Sequence, residues 1–264
     1  MIVSVNGHIT DAQQAHISAT SEAFLRGLGV FETLRTYHKQ PFKLREHLGR
    51  LYVSADIMGI KSKWKAEDAY KEVMRVVERM PFKEGRIRIV LTPGDLIVYV
   101  EALKEKPKAY YDKGVELLSY VGQRHFPRAK KLADHLCYEA NDYARKRGAY
   151  EAVLKDVKGY VHECAYANIF WVENGHLITT NKDILFGITR EFVIEIAGGA
   201  HFEALKYRSL LKADEVFITQ TSSGILPVVK IDGKKIGSGR PGPVTKKLMK
   251  RFKSHTWEQS SQVG

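Results

Sequence analysis

Residues 160–172 read YVHECAYANIFWV. The run 167–172 carries one polar residue, Asn168, among aromatic and β-branched side chains, and predicts a buried strand. Just ahead of it stands one carboxylate, Glu163, close to Cys164, Ala165 and Ala167. An ionised carboxylate is rarely buried without a partner, because desolvation costs several kcal/mol. The stretch therefore calls for a positive group facing Glu163, supplied by the protein or by a bound molecule.

Outward from this stretch, the second half of the chain is strand-rich. Short strands are predicted at 151–154, 169–172 and 177–180. The Lys158-Gly159 turn joins the first two and the Asn174-Gly175 turn joins the last two. A helix over about 131–147 precedes them. A helix over 189–197, strands at 215–219 and 228–231, and a final helix near 243–253 follow. The first half mixes both periodicities, with strands at 2–5, 29–37, 86–91, 97–102 and 115–121 and helices at 43–58 and 65–79. Asn6-Gly7 is a hairpin signal and Pro81 suits a helix exit. Residues 104–111 read as a polar connection. The pattern predicts an α+β protein of two domains, 1–121 and 129–253, with a linker at 122–128 and a mobile tail at 254–264. The second domain reads as barrel-like.

With 264 residues, 44% of them hydrophobic, the chain can bury a substantial core. The N-terminus MIVSVNGHITDAQQ lacks a basic segment followed by an apolar run, and no apolar stretch approaches the length that crosses a bilayer. Two cysteines, Cys137 and Cys164, provide neither metal-ligand spacing nor a disulfide framework. A cytoplasmic protein with no metal and no membrane association is expected. The net charge of +12 comes from basic groups scattered along the chain and mixed with acids. No RNP pattern or zinc-finger spacing accompanies them, so nucleic acid is not an expected partner.

Four stretches carry candidate chemistry. ILFGITREF (184–192) runs through Gly187 into a helix whose first amides, at Ile188 and Thr189, suit a phosphate; its plain alternative is an N-cap at Thr189. TQTSSGILPV (219–228) places hydroxyl and amide side chains at a strand end, as a phosphate cup or as an ordinary polar turn. EHLGRL (46–51) puts Arg50 on a helix, where a guanidinium either holds phosphate or is solvated. AKKLADHL (129–136) sets Lys130 and Lys131 at a predicted helix start, where the dipole disfavours lysine. Either they form a basic linker end, or one of them is a nucleophile with a lowered pKa.

Taken in order, RGLGVFETLR (26–35), EHLGRL, RIRIVLTPG (86–94), a lysine at 130, EAVLKD…GYVHECAYANIF (151–170), ILFGITR and ADEVFITQTSSGILPV (213–228) resemble the fold-type IV, pyridoxal-phosphate-dependent aminotransferases. The resemblance runs from about residue 3 to 253. It implies an N-terminal α/β sandwich domain, a C-terminal pseudo-barrel domain, pyridoxal 5'-phosphate as cofactor and a homodimer with shared active sites. It also implies that Glu163 faces the pyridine nitrogen and that Lys130 is the Schiff-base lysine. Arg50, the Ile188 and Thr189 amides and Thr221 would hold the phosphate, and Leu185 would pack on the ring. The chain departs from the family pattern at Cys164, where Gly is frequent, at Leu28, and at Lys131-Leu132-Ala133 after the lysine.

The resemblance implies amino transfer between an amino acid and a keto acid by a ping-pong mechanism. The usual carboxylate trap for D-amino acids, a tyrosine and an Arg-x-His, is missing: Phe31 stands at the tyrosine position and DLIVYV follows Gly94. Arg26 and Arg88 resemble the trap of less typical D-amino acid aminotransferases, so a D-amino acid substrate is expected. A branched-chain L-aminotransferase and an aminodeoxychorismate lyase are alternatives on the same scaffold. More remote is a basic binding protein on a decayed enzyme scaffold.

Overall fold

The structure, a computed structural model, describes the backbone of residues 1–261 and the side chains through Thr256. Contacts divide the chain into two units. One comprises Met1–Lys104, Arg128–Ala133 and the chain end from Thr256; the other comprises Glu105–Pro127 and Asp134–His255.

The first unit begins with β1 (Ile2–Val5) and β2 (His8–Asp11), a hairpin turned at Asn6 and Gly7. Both turn residues have positive φ, 54° and 86°, which asparagine and glycine tolerate best. Then come α1 (Glu22–Arg26), β3 (Val30–Tyr37), β4 (Gln40–Pro41), α2 (Leu44–Ile57), α3 (Ala66–Glu78), β5 (Gly85–Leu91) and β6 (Leu96–Ala102). The strands form an antiparallel sheet in the order β2-β1-β6-β5-β3-β4. Strict alternation along β3, β5 and β6 buries Val30, Leu34, Ile87, Ile89, Leu91, Val98 and Val100 on one face. Leu48 and Leu51 of α2 and Val73, Val76 and Val77 of α3 share that core. Each such side chain contributes about 1.5–3 kcal/mol by leaving water.

The second unit holds α4 (Lys108–Asp112), β7 (Val115–Val121), α5 (His135–Lys146), β8 (Glu151–Lys155), β9 (Tyr160–Cys164), β10 (Asn168–Glu173) and β11 (His176–Thr179). It continues with α6 (Ile188–Ala197), β12 (His201–Phe202), β13 (Leu205–Lys206), α7 (Tyr207–Leu210), β14 (Glu215–Gln220), β15 (Gly224–Ile231) and β16 (Lys234–Lys235). The last helix, α8, runs Pro243–Ser261. The sheet order is β12-β11-β10-β14-β15-β7-β8-β9-β13, with β16 on β15. Its strands β8, β10 and β14 are almost wholly buried, which explains why they read as continuous apolar runs rather than alternating ones.

Five expectations change. The strand at 115–121 pairs with β8 and β15, so it lies in the second sheet rather than the first half's. A strand, β9, lies between those expected at 151–154 and 169–172, and it carries Glu163. The helix expected from 131 starts at His135, because 129–132 is extended along β3. Residues 254–261, expected in a mobile tail, continue α8; the rest of that tail, 262–264, lies outside the described residues. Within the polar connection at 104–111, α4 begins at Lys108.

Candidate active site

In the first unit the alternation of β3 puts Glu32 on the core side between Val30 and Leu34, with no exposure. Helix α2 meets it with His47 and Arg50, three residues apart and so on one helix face. Arg50 donates from Nε to Oε1 at 2.7 Å and from Nη2 to Oε2 at 2.8 Å. His47 Nδ1 lies 2.8 Å from Oε2. Burial would push the Glu32 pKa up, but Arg50 and His47 reverse this and hold it well below the usual carboxylate range. For His47, burial lowers the pKa from 6.5, Glu32 offsets part of this, and the Arg50 and Lys130 charges lower it further. The imidazole is therefore neutral at pH 7 and its Nδ1–H donates to the ionised carboxylate.

Lys130 is not at a helix start. Its C=O accepts from Phe31 N–H at 2.9 Å, and Leu132 N–H donates to the Gly29 C=O at 2.9 Å. Its own N–H donates to Ser54 Oγ at 3.1 Å, and the Ser54 hydroxyl donates to the Arg50 C=O at 2.8 Å. The Lys130 ammonium lies 4.9 Å from the centroid of the Phe31 ring, and the Arg88 guanidinium lies 4.0 Å from the same centroid. The first unit thus gathers Lys130, Phe31 and Arg88 around one ring, with Arg50 linked to Lys130 through Ser54. Arg26 stands apart, exposed at the end of α1 and paired with Glu22 at 3.4 Å.

In the second unit Glu163 is 4% exposed. Its Oε2 accepts from Leu185 N–H at 3.1 Å and from Asn168 Nδ2 at 3.3 Å. Asn168 also donates to the Leu185 C=O at 2.8 Å, so this one amide fixes both. Glu163 Oε1 accepts from Arg124 Nη1 at 3.1 Å. Arg124 is a protein cation that the sequence did not single out.

Helix α6 begins where the sequence placed it, but its N-cap is Gly187 rather than Thr189. No side chain caps it, and Ile188 and Thr189 are its first two residues. A Cβ on residue 187 would collide with Asn168 Oδ1, so any other residue would have to displace that side chain. Thr219 pairs with Asn168 across the β10–β14 ladder, and its buried Oγ1 has no hydrogen-bond partner. Thr221 follows in the turn before β15, and Leu185 is buried. Glu151, on β8, is buried and accepts from Tyr166 N–H. Burial pushes its pKa up to about 7, with Glu163 adding to the rise and Tyr166 N–H, Arg145 and Lys106 opposing it. Burial, with Glu151 and Glu163, raises the Cys164 pKa well above its ordinary value, which leaves that thiol protonated.

These residues fit pyridoxal 5'-phosphate. A buried, fully oriented carboxylate suits a ring nitrogen, and a carboxylate has about four acceptor sites, so Arg124 and a pyridinium are compatible partners. An uncapped helix start with an orphan threonine hydroxyl beside it suits a phosphate. Sequence reasoning did not single out Glu32, His47, Ser54 or Arg124, and within TQTSSGILPV it named Thr221 rather than Thr219. Only Glu32 gave a signal, a carboxylate at a core position of an alternating strand. Among the described residues no group of three His, Cys, Asp or Glu is placed to hold a metal, and no helix is long and apolar enough to cross a membrane.

A sequence model of the family described as Amino-transferase class IV matches residues 29–231. A putative branched-chain-amino-acid aminotransferase of Methanocaldococcus jannaschii is 34% identical over 96% of both chains. The D-alanine aminotransferase of Bacillus licheniformis is 29% identical, over 100% of both. Among solved structures, the branched-chain aminotransferase of the thermophilic archaeon Thermoproteus uzoniensis with norvaline superposes with a TM-score of 0.89 at 29% identity, covering 99% of this chain and 96% of its own.

Proposed function

The chain belongs to the class IV aminotransferases, enzymes that use pyridoxal 5'-phosphate, and on that premise we propose that it moves an amino group between a branched-chain amino acid and a 2-oxo acid. The names of its relatives support the branched-chain side chain, and a related branched-chain enzyme solved with a phosphopyridoxyl-L-glutamate supports the L hand. One observation carries the assignment of the site: Glu163, buried and held by Arg124, Asn168 and Leu185 N–H.

Bound pyridoxal phosphate supplies an aldehyde that accepts the amino group and a ring that spreads the charge left at the substrate's Cα. Around it we assign Glu163 to hold the proton on the ring nitrogen, and Leu185 to pack on the ring. Arg50, the Ile188 and Thr189 amides and Thr221 hold the phosphate. Lys130 Nζ binds the cofactor at rest and takes the proton from the substrate's Cα during reaction. Arg88 orients the substrate carboxylate, which sets the direction of the Cα–H bond. Neutral His47 adds no positive charge beside Lys130.

A second reading, D-amino acids as substrates, is favoured by the Arg88 guanidinium lying on Phe31, where the usual tyrosine of a D-specific trap is absent. In this reading Arg26 completes the trap from a second copy of the chain. Exposed Phe24 and Leu25 beside Arg26 supply an apolar surface for that copy, and we infer a homodimer, which sedimentation velocity checks.

A half-reaction screen decides between these readings. D- and L-amino acids are added singly to the cofactor-loaded protein and the cofactor absorbance is followed. Conversion by branched-chain L-amino acids supports the first reading, and conversion by D-amino acids alone supports the second. No change with either hand, with an aromatic product released from aminodeoxychorismate without a keto-acid acceptor, identifies a lyase. Borohydride reduction followed by peptide mapping should place the pyridoxyl label on Lys130, and a label on Lys131 would refute that assignment.

A further inference from the structure

We propose that Arg124 is a positioning residue for the cofactor site, holding Glu163 ionised and aimed through an anchored chain Asp134–Arg124–Glu163; this rests on the assignment of Glu163 to the cofactor's ring nitrogen. The Arg124 side chain is 7% exposed and touches both carboxylates. Its Nε donates to Asp134 Oδ2 at 2.9 Å, and its Nη1 donates both to Glu163 Oε1 at 3.1 Å and to the Pro127 C=O at 3.1 Å. Burial by itself would lower the Arg124 pKa, but Glu163, Cys137 and Asp134 more than compensate and raise it, so the cation is permanent.

A buried guanidinium is costly, and its place here has a visible local cost. Asp134 is the N-cap residue of α5, a position where aspartate ordinarily accepts a hydrogen bond from the first turn. It makes no such bond to a backbone amide; its carboxylate instead accepts from Arg124 Nε and from the Cys137 thiol. Helix α5 forgoes its cap while Arg124 is held at two points. A guanidinium held this way presents a fixed charge to one oxygen of Glu163, while Asn168 and the Leu185 amide fix the other. Neither of those neutral donors stabilises the ionised form as strongly as a cation does.

The test is the pH dependence of cofactor affinity, measured by absorbance titration of the apoprotein with pyridoxal phosphate at pH 5.5 and pH 8. Four proteins are compared: wild type, Arg124→Gln, Glu163→Gln and the double variant. Glu151, Arg190, Cys137 and Cys164 also interact with Glu163 or lie beside it, and they remain constant across the set. Without the guanidinium, protonating Glu163 becomes easier. Arg124→Gln should therefore lose about tenfold more affinity than wild type on going from pH 8 to pH 5.5. In the Glu163→Gln background, the same change should add no pH-dependent loss.

A role confined to tethering the 122–128 segment would lower affinity equally at both pH values and would do so with or without Glu163; that result overturns the proposal. Asp134→Asn provides a second probe should Arg124→Gln not fold. It leaves Arg124 charged but less anchored, and it should give a smaller loss in the same direction that likewise vanishes with Glu163→Gln. An effect indifferent to Glu163 overturns the proposal here too. Wild-type protein that binds no pyridoxal phosphate would remove the underlying assignment, whereas normal wild-type binding with a pH-flat Arg124→Gln would remove this inference alone.

Discussion

The Arg50 guanidinium meets the Glu32 carboxylate side-on, with Nε 2.7 Å from Oε1 and Nη2 2.8 Å from Oε2, on a carboxylate that has no solvent exposure. Breaking a buried pair by removing one partner costs about 3–5 kcal/mol, because the remaining charge is left uncompensated. Glu32→Gln should lower the unfolding free energy toward that amount and loosen phosphate binding through Arg50. Urea unfolding of the apoprotein measures the first effect, and an unchanged midpoint would show that the pair contributes nothing. Because the Glu32 pKa is depressed, its contribution is present above the ordinary carboxylate range and is lost only as pH falls below it. The difference between the two proteins should therefore persist from pH 5 to pH 8.

Gly187 has φ −68°, a conformation open to any residue, so its side chain is excluded by space alone. The collision falls on Asn168, which holds Glu163 and Leu185. Gly187→Ala should weaken cofactor binding by about tenfold, the worth of one displaced hydrogen bond to a charged group, with little change in far-UV circular dichroism. Equal affinity in the two proteins would mean that Asn168 yields without consequence.

Glu151 has its pKa raised by burial to about 7 from an ordinary 4.5. A raised carboxylate stabilises the fold fully below its unfolded pKa and loses that contribution as pH rises through its folded value. Wild-type protein should lose stability between pH 5 and pH 8, by up to on the order of 3 kcal/mol from this group. Glu151→Gln should show a flatter profile over that window. Parallel profiles for the two proteins would rule out Glu151 as the titrating group.

Arg88→Ala should raise the half-saturation concentration for amino acids and leave cofactor affinity intact. Losing a charge-assisted carboxylate contact is worth about 2–4 kcal/mol, roughly 30- to 1,000-fold in efficiency. Arg26→Ala should act in the same direction more mildly. Steady-state kinetics with both hands of one amino acid measure this, and unchanged saturation in both variants would place the carboxylate trap elsewhere.

Much of the architecture was legible because periodicity reports burial directly. Alternation marked β3 and β5, and Asn-Gly pairs marked two hairpins. Strand β9 was missed because YVHEC is buried at four of its five positions while containing histidine and glutamate, so neither alternation nor an apolar run marks it. The helix start near Lys130 was misplaced because residues 129–132 spend their hydrogen bonds on β3, a partner about a hundred residues away in sequence. The candidate site residues divide in the same way. The helix start at Gly187, Ile188 and Thr189 was readable as a local junction. Arg124, His47 and Ser54 act through long-range partners, and nothing next to them in sequence distinguishes them from solvated residues.

Lys131 pairs with Val30, and this register sets which way the two neighbouring lysines face; Lys130 is the one we propose as the nucleophile. Successive residues of an extended segment point to opposite sides, so a slip of one residue against β3 would exchange Lys130 for one of its neighbours. On the proposed role of Lys130, selectivity between the two lysines follows backbone register. Phe31→Pro, which removes the N–H that holds the Lys130 carbonyl together with the ring beside its ammonium, should therefore lower the activity we assign to this lysine.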